Sequence, residues 1–283
     1  MTDLLTGFVI WGLAWWLNGR LAARAQHRIV HFAVPAIFGV TVLLVWECLV
    51  RGLNVPGVIL PAPSVIIGAF AGNGAMLWGD LVQTFFKGAL SGYVIGCSAG
   101  ILTAILIHRS LFLRRGLLPV GNFLAALPIV GTAPIFVMWF GFGWQSKAAV
   151  VIAMVYFPML INMVEGLSSS DAMQRDLMKT YAASYWQTMF KLTLPAAMPF
   201  AFNGLKICTT LSLIGAIVAE FFGSPTLGIG FRISTEVGRL ALDVVWAEII
   251  VAAVTGTVFY GLVAASERGV TFWHPSIRGR SAS

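Results

Sequence analysis

Charged residues are scarce in this chain. Lys, Arg, Asp and Glu make up 10% of its 283 residues, whereas 58% are hydrophobic and the mean hydropathy is +0.87. A soluble domain carries roughly 25% charged residues. The composition therefore excludes a soluble globular domain and predicts a protein that is solvated largely by a lipid membrane.

Cysteine and histidine are also few, and neither is arranged for chemistry. Cys48, Cys97 and Cys208 lie in apolar segments without metal-ligand spacing, so we expect reduced packing residues. The four histidines stand singly, with no cysteine or carboxylate at ligand spacing. We therefore expect neither a metal site nor a catalytic cluster.

A nucleotide-binding loop is missing too. The segment Gly141–Lys147 contains glycines and a lysine, but its spacing is not that of a phosphate-binding loop. We expect the chain to hydrolyse no ATP, to be no enzyme and to bind no cofactor of its own. Its 18 basic residues are scattered over loops, so the net charge of +7 does not indicate nucleic-acid binding.

The long apolar segments predict an all-α polytopic membrane protein with a core of six spans. Residues 88–107, for example, are uncharged and rich in Gly, Ala and Ser, which suits close packing of helices in lipid. An additional apolar run at 4–17 is either a short span or an interfacial anchor with tryptophans at headgroup depth. The six predicted spans are 32–50, 88–107, a segment within 116–140, 148–164, about 202–222, and 249–266.

These spans divide the chain into three parts. We expect an N-terminal apolar segment with a basic linker at 1–31, a transmembrane domain at 32–266 and a polar tail at 267–283. The N-terminal segment, the turn at 108–115, the loop after the fourth span together with Lys206, and the tail carry 13 of the 18 basic residues. The positive-inside rule places all four on the cytoplasmic side.

The loop at 165–201 is the longest mixed polar stretch between two strongly apolar segments. Ser170-Asp171, with Gln174 three residues after Asp171, predicts a capped helix of roughly four turns that ends before Leu194-Pro195. Met173, Leu177, Met178 and Tyr181 recur at three- and four-residue steps. This apolar ridge either docks in a groove of a partner protein, or lies on the headgroups or packs on the chain's own bundle.

The loop resembles the conserved loop of ABC importer permeases. In that motif E-A-A is followed after three residues by G and, after nine more, by I-x-L-P; the positions fall on Asp176-Leu177-Met178, Ala182, Leu192 and Leu194-Pro195. Ser184 and Trp186 resemble the family's A-S-x-W-Q segment. Because Ala182 stands at the Gly position, we expect a need for a small side chain there and not for a positive φ. Residues 214–220 and 228–230 resemble the branch serving nitrate, sulfonates, taurine and pyrimidines.

The resemblance implies a permease subunit of an ATP-driven importer in a bacterial inner membrane. It further implies a permease homodimer, two copies of a separate ABC ATPase that uses ATP and Mg²⁺, and a periplasmic or extracellular solute-binding protein. A pyrimidine or thiamine precursor, riboflavin, a sulfonate, taurine and nitrate are all candidate solutes. The residues expected to couple to the ATPase are Asp176, Leu177, Met178, Tyr181, Ala182, Ser184, Trp186, Leu194 and Pro195.

Four polar residues inside the predicted spans are candidates to line the solute pathway: Asn162, Thr209, Ser212 and Glu220. For the first three, hydrogen bonding between helices is the alternative role. An ionisable residue at membrane depth suggests function, so Glu220 either belongs to a gate or pathway, or reaches the outer interface near Gly223.

A secondary transporter or channel that works alone is the alternative function. Such proteins favour inverted repeats and paired charges inside the membrane, and we recognise neither in the sequence. Purification in mild detergent separates the two interpretations, because a co-eluting ATPase supports the importer and autonomous ion-coupled uptake supports the alternative.

The distribution of basic residues predicts the sidedness of the chain. Single cysteines at Ser169 and Ser281 should be shielded from an impermeant thiol reagent in intact cells, because both positions lie on the basic side. A cysteine at Thr226 should react. Labelling of the cysteine at Ser169 from outside the cell would contradict the topology.

Overall fold

The computed structural model describes residues 2–22, 28–110, 128–223 and 227–272, and the single positions 116, 119 and 121. The regular secondary structure of these residues is entirely helical. We number ten helices in chain order: α1 (Thr2–Ala22), α2 (Arg28–Gly52), α3 (Pro63–Gly72), α4 (Gly74–His108), α5 (Ile129–Phe140), α6 (Trp144–Ser168), α7 (Ala172–Thr180), α8 (Tyr185–Gly223), α9 (Ile229–Gly238) and α10 (Leu242–Val270).

Five of these helices are long and apolar enough to cross a membrane: α2 from Ala33 onward, α4, α6, α8 and α10. Five of the six predicted spans overlap them. Within the predicted span at 116–140, the structure describes the 12-residue helix α5. Most of positions 116–127 lie outside the described residues, as does the tail beyond 272. The predicted all-α, multi-pass architecture is confirmed.

Helix α1 is longer than the apolar run that predicted it. Its 21 residues correspond to about 31 Å, close to the ~30 Å of a bilayer's hydrocarbon core. However, its last turn carries Arg20, and α1 is not one of the five apolar spans. Trp11, Trp15 and Trp16 remain exposed. The short span and the interfacial anchor therefore both stay predictions.

The described chain forms two compact units. Unit 1 comprises residues 1–77 and 233–249, and unit 2 comprises 78–232 and 250–283. In unit 1, α1 packs along α2, and the Glu47 carboxylate accepts a hydrogen bond from the Ser64 backbone N–H at 2.9 Å, which ties α2 to the start of α3.

Helix α6 is the centre of unit 2, with α4 and α8 packed against it. Val155, Met159 and Leu167 of α6 are fully buried. Gly92, Gly96 and Gly100 lie at four-residue steps on the face of α4 that touches α6, and a Cβ added at any of them would overlap α6 atoms. Small residues let helices approach closely in lipid, as the composition of the 88–107 segment predicted.

The loop after α6 differs from its prediction. Helix α7 has nine residues, about two and a half turns, and not four. Its N-cap is Asp171, as predicted, with the carboxylate accepting from the Met173 N–H at 3.3 Å. A second start follows at Ser184, where a reciprocal capping box with Gln187 begins α8. Since α6 reaches Ser168, only 169–171 and 181–184 separate α7 from the two long helices.

The interpretation of Leu194-Pro195 as helix breakers is wrong. Both residues lie inside α8, which runs without a break from Tyr185 to Gly223. Proline normally interrupts a helix because it lacks an N–H and its ring crowds the preceding turn. A π-helical turn at Met189–Thr193 directly precedes Leu194. Such a turn changes the hydrogen-bond ladder locally, which accommodates Pro195.

The expectation for Ala182 is also wrong, because this residue has φ +50°. The Ala182 N–H donates to the Lys179 carbonyl at 2.8 Å, and the Ala183 N–H donates to the Met178 carbonyl at 3.0 Å. These two bonds form a Schellman motif at the end of α7, with Ala182 at the left-handed position that glycine usually occupies. Ala182 therefore adopts a backbone conformation that glycine reaches without a steric cost.

Replacing Ala182 by glycine should stabilise this turn. Alanine pays about 1–2 kcal/mol for a left-handed backbone, and glycine does not. We expect slower amide hydrogen exchange over Tyr181–Ser184 in Ala182→Gly than in the wild-type protein, measured by mass spectrometry.

The matched control is Ala183→Gly, because Ala183 follows Ala182 directly and has no positive φ. That variant gains no relief of strain and adds freedom to the unfolded backbone, so its exchange should be unchanged or faster. Equal exchange in the two variants would contradict the role of the backbone angle.

Candidate functional site

Helix α7 presents an apolar stripe to its surroundings. Met173, Leu177 and Tyr181 follow one another at four-residue steps and are 78%, 54% and 75% exposed. Met178, the fourth residue of the predicted ridge, is half-buried and lies off the stripe. Residues four apart lie on the same face of a helix, so three of the four predicted ridge residues form one continuous exposed surface.

Charged side chains lie beside the stripe. The Lys179 ammonium donates to the Asp176 carboxylate at 2.8 Å, and this hydrogen bond holds the pKa of the Asp176 carboxyl below its usual range. The Arg175 guanidinium donates to the carbonyl and the hydroxyl of Ser170, at 2.8 and 3.1 Å. Because both contacts are local, they order α7 and its entry.

The remaining predicted coupling residues belong to the turn and to the start of α8. Ser184 caps α8, and Trp186 is exposed and stacks on Phe190 with ring centroids 5.9 Å apart. Leu194 and Pro195 are half-buried in the next turns of α8. The predicted coupling residues thus lie along one continuous segment, from α7 through the turn into α8.

The candidate pathway residues are not brought together. Asn162 of α6 accepts a hydrogen bond from Asn203 of α8 at 3.0 Å. Thr209 and Ser212 are buried and donate to carbonyls of their own helix, at 2.7 and 2.8 Å. Glu220 lies 17 residues beyond Asn203, or about 25 Å along α8. In the described chain these four residues therefore do not form a single site.

Glu220 belongs instead to a buried polar cluster at the end of unit 2 away from α7. It is only 1% exposed, so its carboxylate lies inside the protein and not on its surface. Both of its oxygens accept from the Thr84 hydroxyl at 2.9 Å, and one also accepts from the Gly230 N–H at 2.8 Å.

Asp80 and Thr84 of α4 complete the contacts to the start of α9. The Asp80 carboxylate accepts from the Gly228 N–H at 2.7 Å and from the Arg232 guanidinium at 2.9 Å. The Thr84 hydroxyl accepts from the Ile229 N–H at 2.8 Å. Three consecutive N–H groups, at 228, 229 and 230, are therefore bound by side chains that come from two other helices.

Gly228 and Lys147 are closely packed at this end of unit 2. Gly228 has φ +127°, and an added Cβ would overlap the Glu220 carboxylate. The buried Lys147 ammonium donates to the Phe142 carbonyl at 2.8 Å and to the Gly223 carbonyl. We define the charge cluster as Asp80, Thr84, Lys147, Glu220 and Arg232.

Sequence reasoning identified only one member of the charge cluster, Glu220, and recognised no paired charges inside the membrane. Asp80 lies within the span α4 and Arg232 near the start of α9, 152 residues further along the chain. No periodic pattern joins residues so far apart. The available signal was the presence of Asp80 and Lys147 at the borders of apolar segments, where a buried charge requires a partner.

Comparisons with known proteins identify the relationships of the chain. The family model described as "Binding-protein-dependent transport system inner membrane component" matches residues 92–272. A probable ABC transporter permease protein of Haemophilus influenzae is 29% identical over 77% of this chain and 88% of its own length. A formylaminopyrimidine transport permease protein of Halalkalibacterium halodurans is 27% identical, over 84% and 95%. A putative aliphatic sulfonates transport permease protein of Bacillus subtilis is 29% identical, over 87% and 88%.

Truncation of Glu220 should destabilise unit 2 strongly. Glu220→Ala leaves the Gly230 N–H and the Thr84 hydroxyl without their acceptor, so we expect a loss of about 1–3 kcal/mol for each buried group left unpaired. Glu220→Gln retains an oxygen acceptor and should lose less. The measurement is chemical denaturation of the purified chain in detergent.

Ser212→Ala is the matched control for removing a buried polar group. The Ser212 hydroxyl only adds a bond to a carbonyl of its own helix, so its loss should cost at most about 1 kcal/mol. Similar denaturation midpoints for Glu220→Ala and Ser212→Ala would contradict a structural role for the cluster.

Proposed function

The chain belongs to the family of binding-protein-dependent transport system inner membrane components, and we propose that it is the permease subunit of an ATP-driven importer that couples to a separate ATPase through α7. Members of this family are transport components and not enzymes. The proposed division of labour leaves ATP and Mg²⁺ to the ATPase and the solute pathway to this chain.

The exposed apolar stripe of α7 is the observation that carries the proposal. Met173 and Leu177 project from a short helix that lies between two membrane spans, and Tyr181 projects from its C-cap. A contiguous exposed apolar surface with charged neighbours is typical of a protein–protein interface. The spacing of the family's coupling motif falls on this same helix and the turn after it.

The connections of α7 suit the transmission of movement. Three residues join it to α6, and four residues join it to α8. These linkers are too short to absorb a large displacement, since each residue spans at most about 3.6 Å. A shift of α7 on an ATPase surface would therefore pull on α6 and α8, which are continuous with it.

Assembly and orientation follow from the same proposal. We propose a permease homodimer, two ATPase copies and an external solute-binding protein, in a bacterial inner membrane with α7 and the C-terminal tail in the cytoplasm. Asn162 accepts a hydrogen bond from Asn203 across the contact of α6 and α8, which favours the alternative role of hydrogen bonding between helices. Thr209, Ser212 and Glu220 are directed to bonds inside the protein.

The proposed solute is a small molecule of the kinds that relatives carry: a pyrimidine or thiamine precursor, riboflavin, a sulfonate, taurine or nitrate. The formylaminopyrimidine and sulfonate permeases are 27% and 29% identical to the chain, and this difference does not separate their solutes. Titration of the cognate binding protein with each candidate solute would decide among them.

One observation favours the alternative of an autonomous secondary transporter, namely the buried pair of Asp80 and Arg232 at 2.9 Å. Paired charges within spans are common in that class. However, Arg232 belongs to α9, which is not one of the five apolar spans, and Asp80 also accepts from the Gly228 N–H, which is a structural use. Co-purification of an ATPase distinguishes the two functions.

A charge placed on the stripe should prevent ATPase binding. Leu177→Glu adds a carboxylate to the proposed interface, where an unpaired buried charge is strongly unfavourable. Because Leu177 is already exposed, the variant should fold and insert normally. We expect the ATPase to co-purify with the wild-type chain and to be lost from Leu177→Glu.

The matched control is Ala172→Glu, which adds the same charge to an exposed position on the other side of α7. A carboxylate in the first turn is also compatible with the helix dipole. This variant should keep the ATPase. Retention of the ATPase by Leu177→Glu would show that the stripe is not the docking surface.

A further inference from the structure

The members of the charge cluster meet helix ends of opposite polarity. The first turn of a helix has unpaired N–H groups and a partial positive charge, and the last turn has unpaired carbonyls and a partial negative charge. Asp80, Thr84 and Glu220 bind the N–H groups at the start of α9. Lys147 binds the carbonyl of Gly223, the last residue of α8, and the carbonyl of Phe142 just beyond α5.

The cluster also joins three of the long helices of unit 2. Asp80 and Thr84 come from α4, Lys147 from α6 and Glu220 from α8. Separating α4 from α8 at this end would break the Thr84–Glu220 hydrogen bonds, and separating α6 from α8 would break the contact of Lys147 with the Gly223 carbonyl; lost hydrogen bonds of buried polar groups are unfavourable. Further along α4, Gly92, Gly96 and Gly100 pack so closely on α6 that a Cβ added at any of them would overlap α6 atoms.

We propose that Asp80, Thr84, Lys147 and Glu220 are positioning residues whose contacts stay unchanged while the protein transports its solute. They hold α4, α6 and α8 together as one rigid body, with the first turn of α9 attached to it, throughout the transport cycle. Glu220 is then a positioning residue within this rigid body, and it belongs neither to a gate nor to the solute pathway. The inference rests on the proposed coupling to an ATPase, whose motion the rigid body transmits.

A cross-link between α4 and α8 beside the charge cluster tests whether these helices stay fixed relative to each other, as proposed, or move apart, as in a gate. A Cβ added at Gly88 of α4 would lie 3.6 Å from the Ala216 Cβ of α8, close to the mean of about 3.8 Å between the Cβ atoms of a disulfide. The double variant Gly88→Cys/Ala216→Cys should therefore form a disulfide on oxidation. Counting free thiols with a polyethylene-glycol maleimide reports its formation.

The readout is ATP hydrolysis by the complex of the chain with its co-purified ATPase in lipid nanodiscs. A cross-link within a rigid body restricts nothing that moves. The oxidised and reduced forms should therefore hydrolyse ATP at rates within about twofold, a barrier change below thermal energy. Each single-cysteine variant, oxidised in the same way, controls for side reactions of the oxidant.

The proposal would be overturned if oxidation of the double variant reduced ATP hydrolysis by more than twofold, if a reductant restored the activity, and if the single-cysteine variants showed no such loss. Absence of an ATPase from the wild-type preparation would instead count against the proposed function. The two failures are therefore distinguishable before any variant is oxidised.

Removal of the Thr84 hydroxyl tests positioning directly. Thr84→Val keeps the shape of the side chain and removes the acceptor of the Ile229 N–H. We expect amide exchange at 228–230 to rise by about tenfold or more in Thr84→Val, and Thr84→Ser to restore it. Unchanged exchange at 228–230 would overturn the positioning role, while unchanged exchange at 92–100 confirms that the bundle is intact.

Discussion

Close packing of α4 and α8 against α6 is the constraint on which the rest of unit 2 depends. Lipid supplies no hydrophobic force between helices, so their association relies on van der Waals contact and on small residues. Gly92, Gly96 and Gly100 permit that contact, since a Cβ at each would overlap α6. The side chains at the helix ends then come within hydrogen-bond distance. The charge cluster is therefore a consequence of the packing as well as a stabiliser of it.

The two ends of α6 differ in how their polar and apolar groups are satisfied. At one end Lys147 is buried and bound to carbonyls of the same chain. At the other end, after 25 residues or about 37 Å, α6 leads into α7, whose apolar stripe is exposed. The first end is complete within the chain, while the second presents surface that a partner would bury. Because α6 is one continuous helix, it connects the two ends directly.

The parts of this architecture that depend on local pattern could be predicted from sequence. Apolar length predicted the long spans, and the Asp171 cap together with four-residue spacing predicted α7 and its stripe. Proline at 195 misled the prediction, because the π-helical turn that accommodates it has no recognised sequence signal. The charge cluster could not be derived, since the Asp80 contact with Gly228 joins residues 148 positions apart. Glu220 was suspected only because it is an acid in an apolar segment.

Ala182 shows how the backbone conformation of a motif can be retained when its residues differ. The backbone bonds of the Schellman motif reverse the chain after α7, and they need a left-handed residue but no particular side chain. Glycine meets that need without strain, and alanine meets it at a cost of about 1–2 kcal/mol. The Asp171 cap before the turn and the Ser184–Gln187 capping box after it are each of a strength comparable with that cost. The two caps therefore offset the strain, and α7 keeps its position between the two long helices without the glycine.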